Sequence, residues 1–211
     1  MRWTGPPVET PGAPRRELGC LVLASPYSLQ RITGIGRFIE DLTRGLGDRG
    51  IEVNLLCPSG TGATGHSGQL TLHWGSLNNV ELSAKTARRL ISERHGFTLV
   101  HAQQAHLQSV VAAIAGRVLG KPCVLTLHLK VPPPRGLWRR LAQATIEKLS
   151  VRWASVTVAV SFLVAESYGD GRVAVIENGV DTNRFRPSPS DRAEARRTLG
   201  IGQDLVFVFA G

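Results

Sequence analysis

Residues 18–47 read LGCLVLA-SPYSLQRITG-IGRFIEDLTRGLG, and three patterns follow one another in this stretch. The first is an apolar run, which is typical of a strand buried on both faces of a sheet. The second is a polar loop that ends on glycine. In the third, apolar residues recur at helical spacing until Gly47 and Gly50, which predict the end of the helix. A strand, a loop and a helix in this order form the opening unit of an α/β fold.

The same alternation continues through the rest of the chain. Apolar or alternating runs predict further strands at 51–57, 69–74, 98–102, 123–128, 155–161 and 173–176. Helical spacing predicts helices over 84–94, 107–119 and 138–153, and a short one that ends at Tyr168. We therefore expect a doubly wound, Rossmann-like parallel sheet of about seven strands. In such sheets ligands bind beyond the carboxyl ends of the strands, so functional residues are expected at 25–36, 57–68, 101–106, 128–134 and 177–181.

Composition divides the chain into four segments. Residues 1–17 are rich in proline and predict a disordered leader. Residues 18–185 hold the alternating pattern, and 186–190 (RPSPS) indicate an interdomain linker. Residues 191–211 are interpreted as the start of a second domain. There Asp191 is predicted to cap a helix over 192–199, and LVFVFAG at the end predicts a strand that needs a second sheet.

Charge narrows the classes of partner. The formal net charge is +9 and the pI is about 10.5, which favours anionic partners such as phosphates or acidic lipid headgroups. The sequence carries no aromatic RNA-binding motif and no recognition helix, so nucleic acid is disfavoured. It has neither an apolar run of about 18 residues nor an N-terminal secretory signal. We expect a cytoplasmic protein, with peripheral contact to the inner face of an anionic membrane as an option.

The pattern of the three cysteines predicts that their side chains are buried and do not bind a metal. Cys20, Cys57 and Cys123 lie in or at the end of strand-like runs and are widely spaced. Small buried hydrophobes in a reducing compartment fit that pattern. Since no ligand spacing of cysteine and histidine is present, no metal site is predicted.

Residues 33–37 (TGIGR) lead the first loop into a helix. Here Gly34 and Gly36 would let backbone N–H groups approach a phosphate, and the helix dipole favours an anion. A dinucleotide-binding motif would need a small residue in place of Ile39 and an acid in place of Cys57, so that assignment fails twice. Two interpretations stay open: a phosphate-binding loop, or glycines that only permit a tight turn and a close helix–strand contact.

His128 ends the fifth predicted strand, and Lys130 and three prolines follow it. A histidine and a lysine at this edge can donate hydrogen bonds to hydroxyls or phosphate. The alternative is a histidine that only caps the sheet by bonding to backbone. His101 ends the fourth predicted strand, and His106 opens the helix after it. For these two histidines, a purely structural role is the stronger interpretation.

The helix predicted over 138–153 is basic along its length. Arg135, Arg139 and Arg140 surround Trp138 near its start, and Lys148 and Arg152 follow. A basic helix with a tryptophan near its start can lie on anionic lipid. The alternative is a solvated basic face with the tryptophan in the core.

Residues 177–187 read ENGVDTNRFRP, and this pattern resembles the end of the N-terminal domain in retaining glycosyltransferases of the GT-B architecture, family 4. The first loop agrees, because TGIGRFI at 33–39 is similar to that family's G-G-I-G-R-Y-V. GKP at 120–122 leading to TLH at 126–128 is similar to the family's G-x-P…T-x-H. Where the family commonly has H-x-H, His101 is followed by Ala-Gln-Gln.

The resemblance implies the N-terminal half of an enzyme that moves a sugar from a nucleotide-sugar donor to a hydroxyl acceptor, which could be a glycan, a lipid or a small molecule. The family's second domain binds most of the donor, so we expect this chain by itself to be inactive. No cofactor and no metal are implied. Two other functions stay open: a non-catalytic half that works only with a partner chain, and an inactive truncated product.

The resemblance also implies roles for particular residues. Gly34 and Gly36 would face the donor phosphates, and His128 would hydrogen-bond the sugar near the reaction centre. The acceptor side is assigned to Tyr27, Arg31 and Lys130. A loop of the cleft is assigned to Asn178, Gly179 and Asp181.

Overall fold

A computed structural model of the chain describes residues 20–24, 34–58, 71–74, 79–169, 171–182 and 185–208. The disordered leader predicted for 1–17 lies outside the described residues, as do Tyr27 and Arg31. The chain divides into two units, Met1–Glu177 and Asn178–Gly211.

The first unit is built on a parallel sheet, which confirms the fold class predicted from the sequence. Its strands are β1 Cys20–Ala24, β2 Glu52–Pro58, β3 Thr71–Trp74, β4 Leu99–Gln103, β5 Cys123–Leu127, β6 Val156–Ala159 and β7 Ala174–Val175. Its helices are α1 Gly34–Gly47, α2 Asn79–Ser92, α3 Leu107–Val118, α4 Leu137–Trp153 and α5 Phe162–Tyr168. The spatial order is β3-β2-β1-β4-β5-β6-β7. This order reverses beside β1, so the crevice of the sheet lies at the carboxyl ends of β1 and β4.

Helices cover both faces of the sheet, as strands buried on both sides require. Successive residues of a strand point to opposite faces. On β2, Leu55 packs in one apolar cluster with Ile35 and Ile39 of α1. Its neighbour Leu56 packs in a second cluster that includes Leu90 of α2. The first turns of α1 are thereby held against one face of the sheet, close to its carboxyl edge.

Helix α3 approaches the sheet most closely at Gly116. A Cβ atom on Gly116 would lie 3.0 Å from the carbonyl oxygen of Lys121 and 3.7 Å from side-chain atoms of Val100 and Cys123. The Cys123 side chain is buried, as expected for a small hydrophobe. Burial raises the pKa of its thiol to about 12, so it stays protonated at neutral pH.

The second unit contains one helix among its described residues, α6 at Pro189–Thr198. The prediction that Asp191 caps this helix is wrong. Ser188 is the N-cap, and its Oγ accepts from the backbone N–H of Asp191 at 3.2 Å. Pro189 follows in the first helical position, where its fixed φ suits a helix and its missing N–H costs nothing. The helix therefore starts inside the segment that was predicted to be a linker.

The strand predicted for 205–211 does not form over residues 205–208, and residues 209–211 lie outside the described part. The side chains of Leu205, Phe207 and Val208 are exposed. A strand is stable only where a neighbouring strand bonds its N–H and C=O groups. The described residues of the second unit include no other strand to do so.

Gly116→Val should destabilise the first unit by about 1–3 kcal/mol, because the larger side chain must displace the backbone of Lys121. Gly45→Val in α1 is the matched control, since a Cβ atom there meets only the flexible end of Arg49, at 3.7 Å. The control should change stability by less than about 0.5 kcal/mol. Denaturant unfolding of both variants measures the difference. Equal effects would contradict the close helix–sheet contact.

Candidate functional site

The carboxyl ends of β4 and β5 bring together the polar residues at the edge of the sheet. The two strands are parallel neighbours, with Gln103 opposite Thr126 in the register. The chain leaves β4 through Gln104 and leaves β5 through His128. Since parallel strands end at the same edge, these side chains meet there.

Gln104 holds this junction through its side chain. It is fully buried and adopts φ +62°, a left-handed conformation that costs a residue other than glycine about 1–2 kcal/mol. Its Oε1 accepts from the backbone N–H of His128 at 2.9 Å and of Leu129 at 3.3 Å. Its Nε2 donates to the carbonyl of Leu129 at 2.7 Å and to the hydroxyl of Tyr168 at 3.1 Å. These bonds fix the backbone that carries His128.

The ring of His128 bonds to a side chain rather than to backbone. Its Nε2 lies 2.8 Å from Oε1 of Gln103, which is itself fully buried. Burial lowers the pKa of His128 to about 4, so the ring is neutral at pH 7. The pKa of His101 is also lowered to about 4, by burial and then by the nearby His128. The Nε2 of His101 lies 2.8 Å from the hydroxyl of Thr126.

Phe38 connects this junction to the glycine loop. Its ring meets the ring of His128 edge-on, with centroids 4.8 Å apart and an interplanar angle of 71°. Phe38 lies in α1, one turn after Gly34 and two residues after Gly36. Among the described residues, no atom lies within 4 Å of a Cβ atom built on Gly34. The structure thus brings the predicted phosphate loop and His128 to one edge of the sheet.

Lys130 turns toward α4 and α5. It forms an ion pair with Glu147, a buried carboxylate of α4. Its ammonium also lies 4.2 Å from the centre of the Tyr168 ring. The other oxygen of Glu147 accepts from Gln143 at 2.9 Å. The Lys130 side chain is therefore bound to residues of α4 and α5, and it lines a cavity of about 480 Å³ beside these two helices.

The remaining predicted site residues belong to the second unit. Asn178, Gly179 and Asp181 are exposed, and the carbonyl of Asp181 accepts from the backbone N–H of Phe185 at 2.8 Å. The role of these residues in a cleft stays a prediction.

Sequence reasoning missed Gln103 and Gln104 as residues of the site. Two adjacent amides at the end of a buried strand were noted only as a departure from a family pattern. Their burial next to His128 is the signal that the structure adds.

The described residues contain no group of three or more histidine, cysteine, aspartate or glutamate side chains that could hold a metal ion. Within the same residues, no helix is both long enough and apolar enough to cross a membrane.

Comparison with protein families gives one match. The model of Glycosyltransferase Family 4 matches residues 32–184, which is more than half of the chain. The chain belongs to glycosyltransferase family 4. The match includes the glycine loop, the β4–β5 junction and most of the segment that carries Asn178. A comparison with curated protein sequences gave no match.

Solved structures share the fold of this family 4 chain. Alr3699/HepE of Anabaena, solved in complex with UDP, has a TM-score of 0.62 at 23% identity, over 85% of this chain and 50% of its own. A glycosyltransferase of Rickettsia africae has a TM-score of 0.61 at 15% identity, over 89% of this chain and 51% of its own. UDP-GlcNAc 2-epimerase of Methanocaldococcus jannaschii has a TM-score of 0.52 at 14% identity, over 75% of this chain and 45% of its own. The likeness shows a Rossmann-like domain of the GT-B kind. The chain spans roughly half the length of each of these proteins.

Proposed function

We propose that this chain supplies the acceptor-side half of a retaining glycosyltransferase that uses a nucleotide-sugar donor. The observation that carries the proposal is the polar junction at the ends of β4 and β5, which holds a neutral His128 beside the first turn of α1. Membership of family 4 supports the reaction class. The UDP bound to HepE supports a nucleoside diphosphate as the leaving group.

The chemistry divides between two parts of the sheet edge. Transfer of a sugar with its diphosphate departing builds negative charge on the phosphate and positive charge on the sugar ring. The backbone N–H groups at the start of α1, where Gly34 is the first helical residue, suit the phosphate together with the helix dipole. His128 is suited to a sugar hydroxyl, since its neutral ring offers a hydrogen bond without a competing positive charge.

A second domain or a partner chain completes the cleft in this proposal. The resemblance places most donor contacts there, and the chain spans about half of the similar structures. We assign Asn178, Gly179 and Asp181 to the loop that borders the cleft. Tyr27, Arg31 and Lys130 stay assigned to the acceptor side, where Lys130 would have to exchange Glu147 for an acceptor group. The proposed compartment is the cytoplasm.

With the donor-binding half present, His128→Ala should lower kcat by roughly 10²-fold, the scale of losing one preorganised hydrogen-bonding group. Some stability is lost as well, because Gln103 keeps a buried amide oxygen without a partner. Activity is therefore measured per folded molecule, with circular dichroism to determine the folded fraction.

His95→Ala is the matched control for that experiment. His95 is exposed in the turn before β4, at the opposite edge of the sheet from His128. The control should retain the wild-type kcat. If the two variants have the same kcat, the β4–β5 junction is not the reaction site and the proposal fails.

One surface favours a lipid as the acceptor. The first turn of α4 exposes three apolar side chains, Leu137 (67%), Trp138 (82%) and Leu141 (49%). The alternative interpretation, in which Trp138 lies in the core, is therefore wrong. Arg135, Arg139 and Arg140 are exposed and adjoin these side chains in the sequence, and exposed Lys148 and Arg152 follow along the helix on the same face as Leu137 and Leu141. We call this set the α4 face.

The α4 face suits an anionic membrane. Apolar side chains framed by cations are the pattern by which helices lie in a lipid interface. Helix α4 starts at the carboxyl edge of the sheet, because it follows β5 and His128. A membrane that contacts its first turn would present lipid hydroxyls at the edge where the sugar is proposed to bind. We propose this face as the peripheral membrane contact of the protein.

The chain should co-sediment with vesicles of phosphatidylcholine and phosphatidylglycerol more than with phosphatidylcholine alone. Added salt should weaken binding, because exposed charges are screened within about 8–10 Å at physiological ionic strength. Trp138→Ala should reduce binding, whereas Phe207→Ala, which removes an equally exposed aromatic ring outside the α4 face, should not. Equal binding to neutral and anionic vesicles would exclude the electrostatic contact.

A further inference from the structure

We infer that Gln103 is a positioning residue that holds His128 in one neutral tautomer, with the proton on Nε2 and the Nδ1 lone pair free to accept a hydrogen bond. The assignment of the tautomer stands on the structure alone. The further step, in which a substrate hydroxyl donates to Nδ1, rests on the proposed function.

The direction of one hydrogen bond carries the inference. Oε1 of Gln103 lies 2.8 Å from Nε2 of His128. An amide oxygen has lone pairs and no proton, so it can only accept. Nε2 of His128 must therefore be the donor. A neutral imidazole carries a single N–H, and the proton on Nε2 leaves Nδ1 as an acceptor.

The ring of His128 is neutral because it is partly buried among uncharged side chains. Gln103 is fully buried at the end of β4, and the edge of the Phe38 ring lies against His128. This surrounding lowers the pKa of His128 to about 4. His101, whose pKa is lowered by burial and by His128, is neutral as well, and no carboxylate of the described residues pairs with either ring. At neutral pH the choice is therefore between two neutral tautomers.

Both ends of His128 are held. Gln104 fixes the backbone N–H of His128 at 2.9 Å, and Gln103 fixes the far nitrogen of its ring. With the backbone and the ring tip fixed, the ring has little freedom to turn over. The two adjacent glutamines thus divide the work, one holding the main chain and the other the side chain.

A second observation indicates a ligand near this pair. Nε2 of Gln103 is buried and has no hydrogen-bond partner among the described residues. Native proteins rarely leave a buried hydrogen-bond donor without a partner, because its desolvation is not repaid. A bound water or a ligand oxygen at the junction would satisfy it. A sugar carries several hydroxyl groups, so one of them can donate to Nδ1 of the histidine while another accepts from this amide.

The tautomer is read directly by long-range ¹H–¹⁵N NMR of the imidazole rings in the chain at pH 7, with His128→Ala to assign the signals. Wild type should show Nε2 protonated and Nδ1 unprotonated, as a single form. Gln103→Leu, which removes the acceptor, should bring the two ring nitrogens of His128 toward averaged shifts. A wild-type proton on Nδ1 would overturn the inference.

Gln108→Leu is the matched control for loss of a buried glutamine. Gln108 is 2% exposed, and its amide donates to Thr86 at 3.0 Å. The Gln108→Leu variant replaces a buried glutamine by leucine, as Gln103→Leu does, but on the side of the sheet that is covered by α2. The His128 signals should keep the wild-type tautomer in this variant. If the two ring nitrogens of His128 showed averaged shifts in both variants, loss of any buried glutamine would have the same effect, and the inference would fail.

Gln103→Glu keeps an oxygen in place and adds a negative charge, so it remains informative if the leucine variant does not fold. A carboxylate beside the ring should raise the pKa of His128 by about 1–3, measured by NMR titration. An unchanged titration would contradict direct contact between residue 103 and the ring. In the complete enzyme the same variant should move the acid limb of the kcat profile upward in pH. These NMR results need no substrate, so they stand even if the proposed glycosyl transfer is disproved.

Discussion

The side chain of Gln104 joins the end of β4 to the chain that leaves β5, and to Tyr168 of α5, through four partly buried hydrogen bonds. Two backbone N–H groups, one carbonyl and one tyrosine hydroxyl meet a single amide. The left-handed backbone of this residue costs about 1–2 kcal/mol, and a typical buried hydrogen bond contributes about 1 kcal/mol, so the contacts offset the strain. The same residue turns the chain from β4 into α3. The start of α3 and the loop that carries His128 therefore both depend on it.

This junction is polar but uncharged at neutral pH. His101 and His128 are neutral because both are desolvated, and the two glutamines carry no charge. Lys130, the nearest cation along the chain, is neutralised by Glu147. A surface of this kind selects hydroxyl groups by hydrogen bonding and offers little attraction to phosphate. In the proposed function, the start of α1 and the cations of the α4 face supply the positive potential, and the sheet edge would separate a region for a sugar from regions for anions.

The strands and most helices could be predicted from the sequence, because burial on both faces imposes continuous apolar runs. Helix α2 starts earlier than predicted, since buried Ser83 interrupts the apolar periodicity of its first turns, while its hydroxyl is satisfied by the carbonyl of Asn79 at 2.5 Å. The exposure of Trp138 was not predictable either, because it depends on which face of α4 meets the sheet. The glutamine pair escaped notice for a related reason. Its significance lies in contacts between β4 and β5 that no local pattern encodes.

The most direct test of the account is backbone NMR of the chain during titration with nucleotide sugars. The central claim is that the ends of β4 and β5 and the start of α1 form the ligand-binding edge. Binding by this half alone should be weak, in the millimolar range, which corresponds to about −4 kcal/mol. The account predicts that shift changes cluster at Gly34, Gly36 and His128. Changes confined to the opposite edge, around His95 and Gly120, would contradict it.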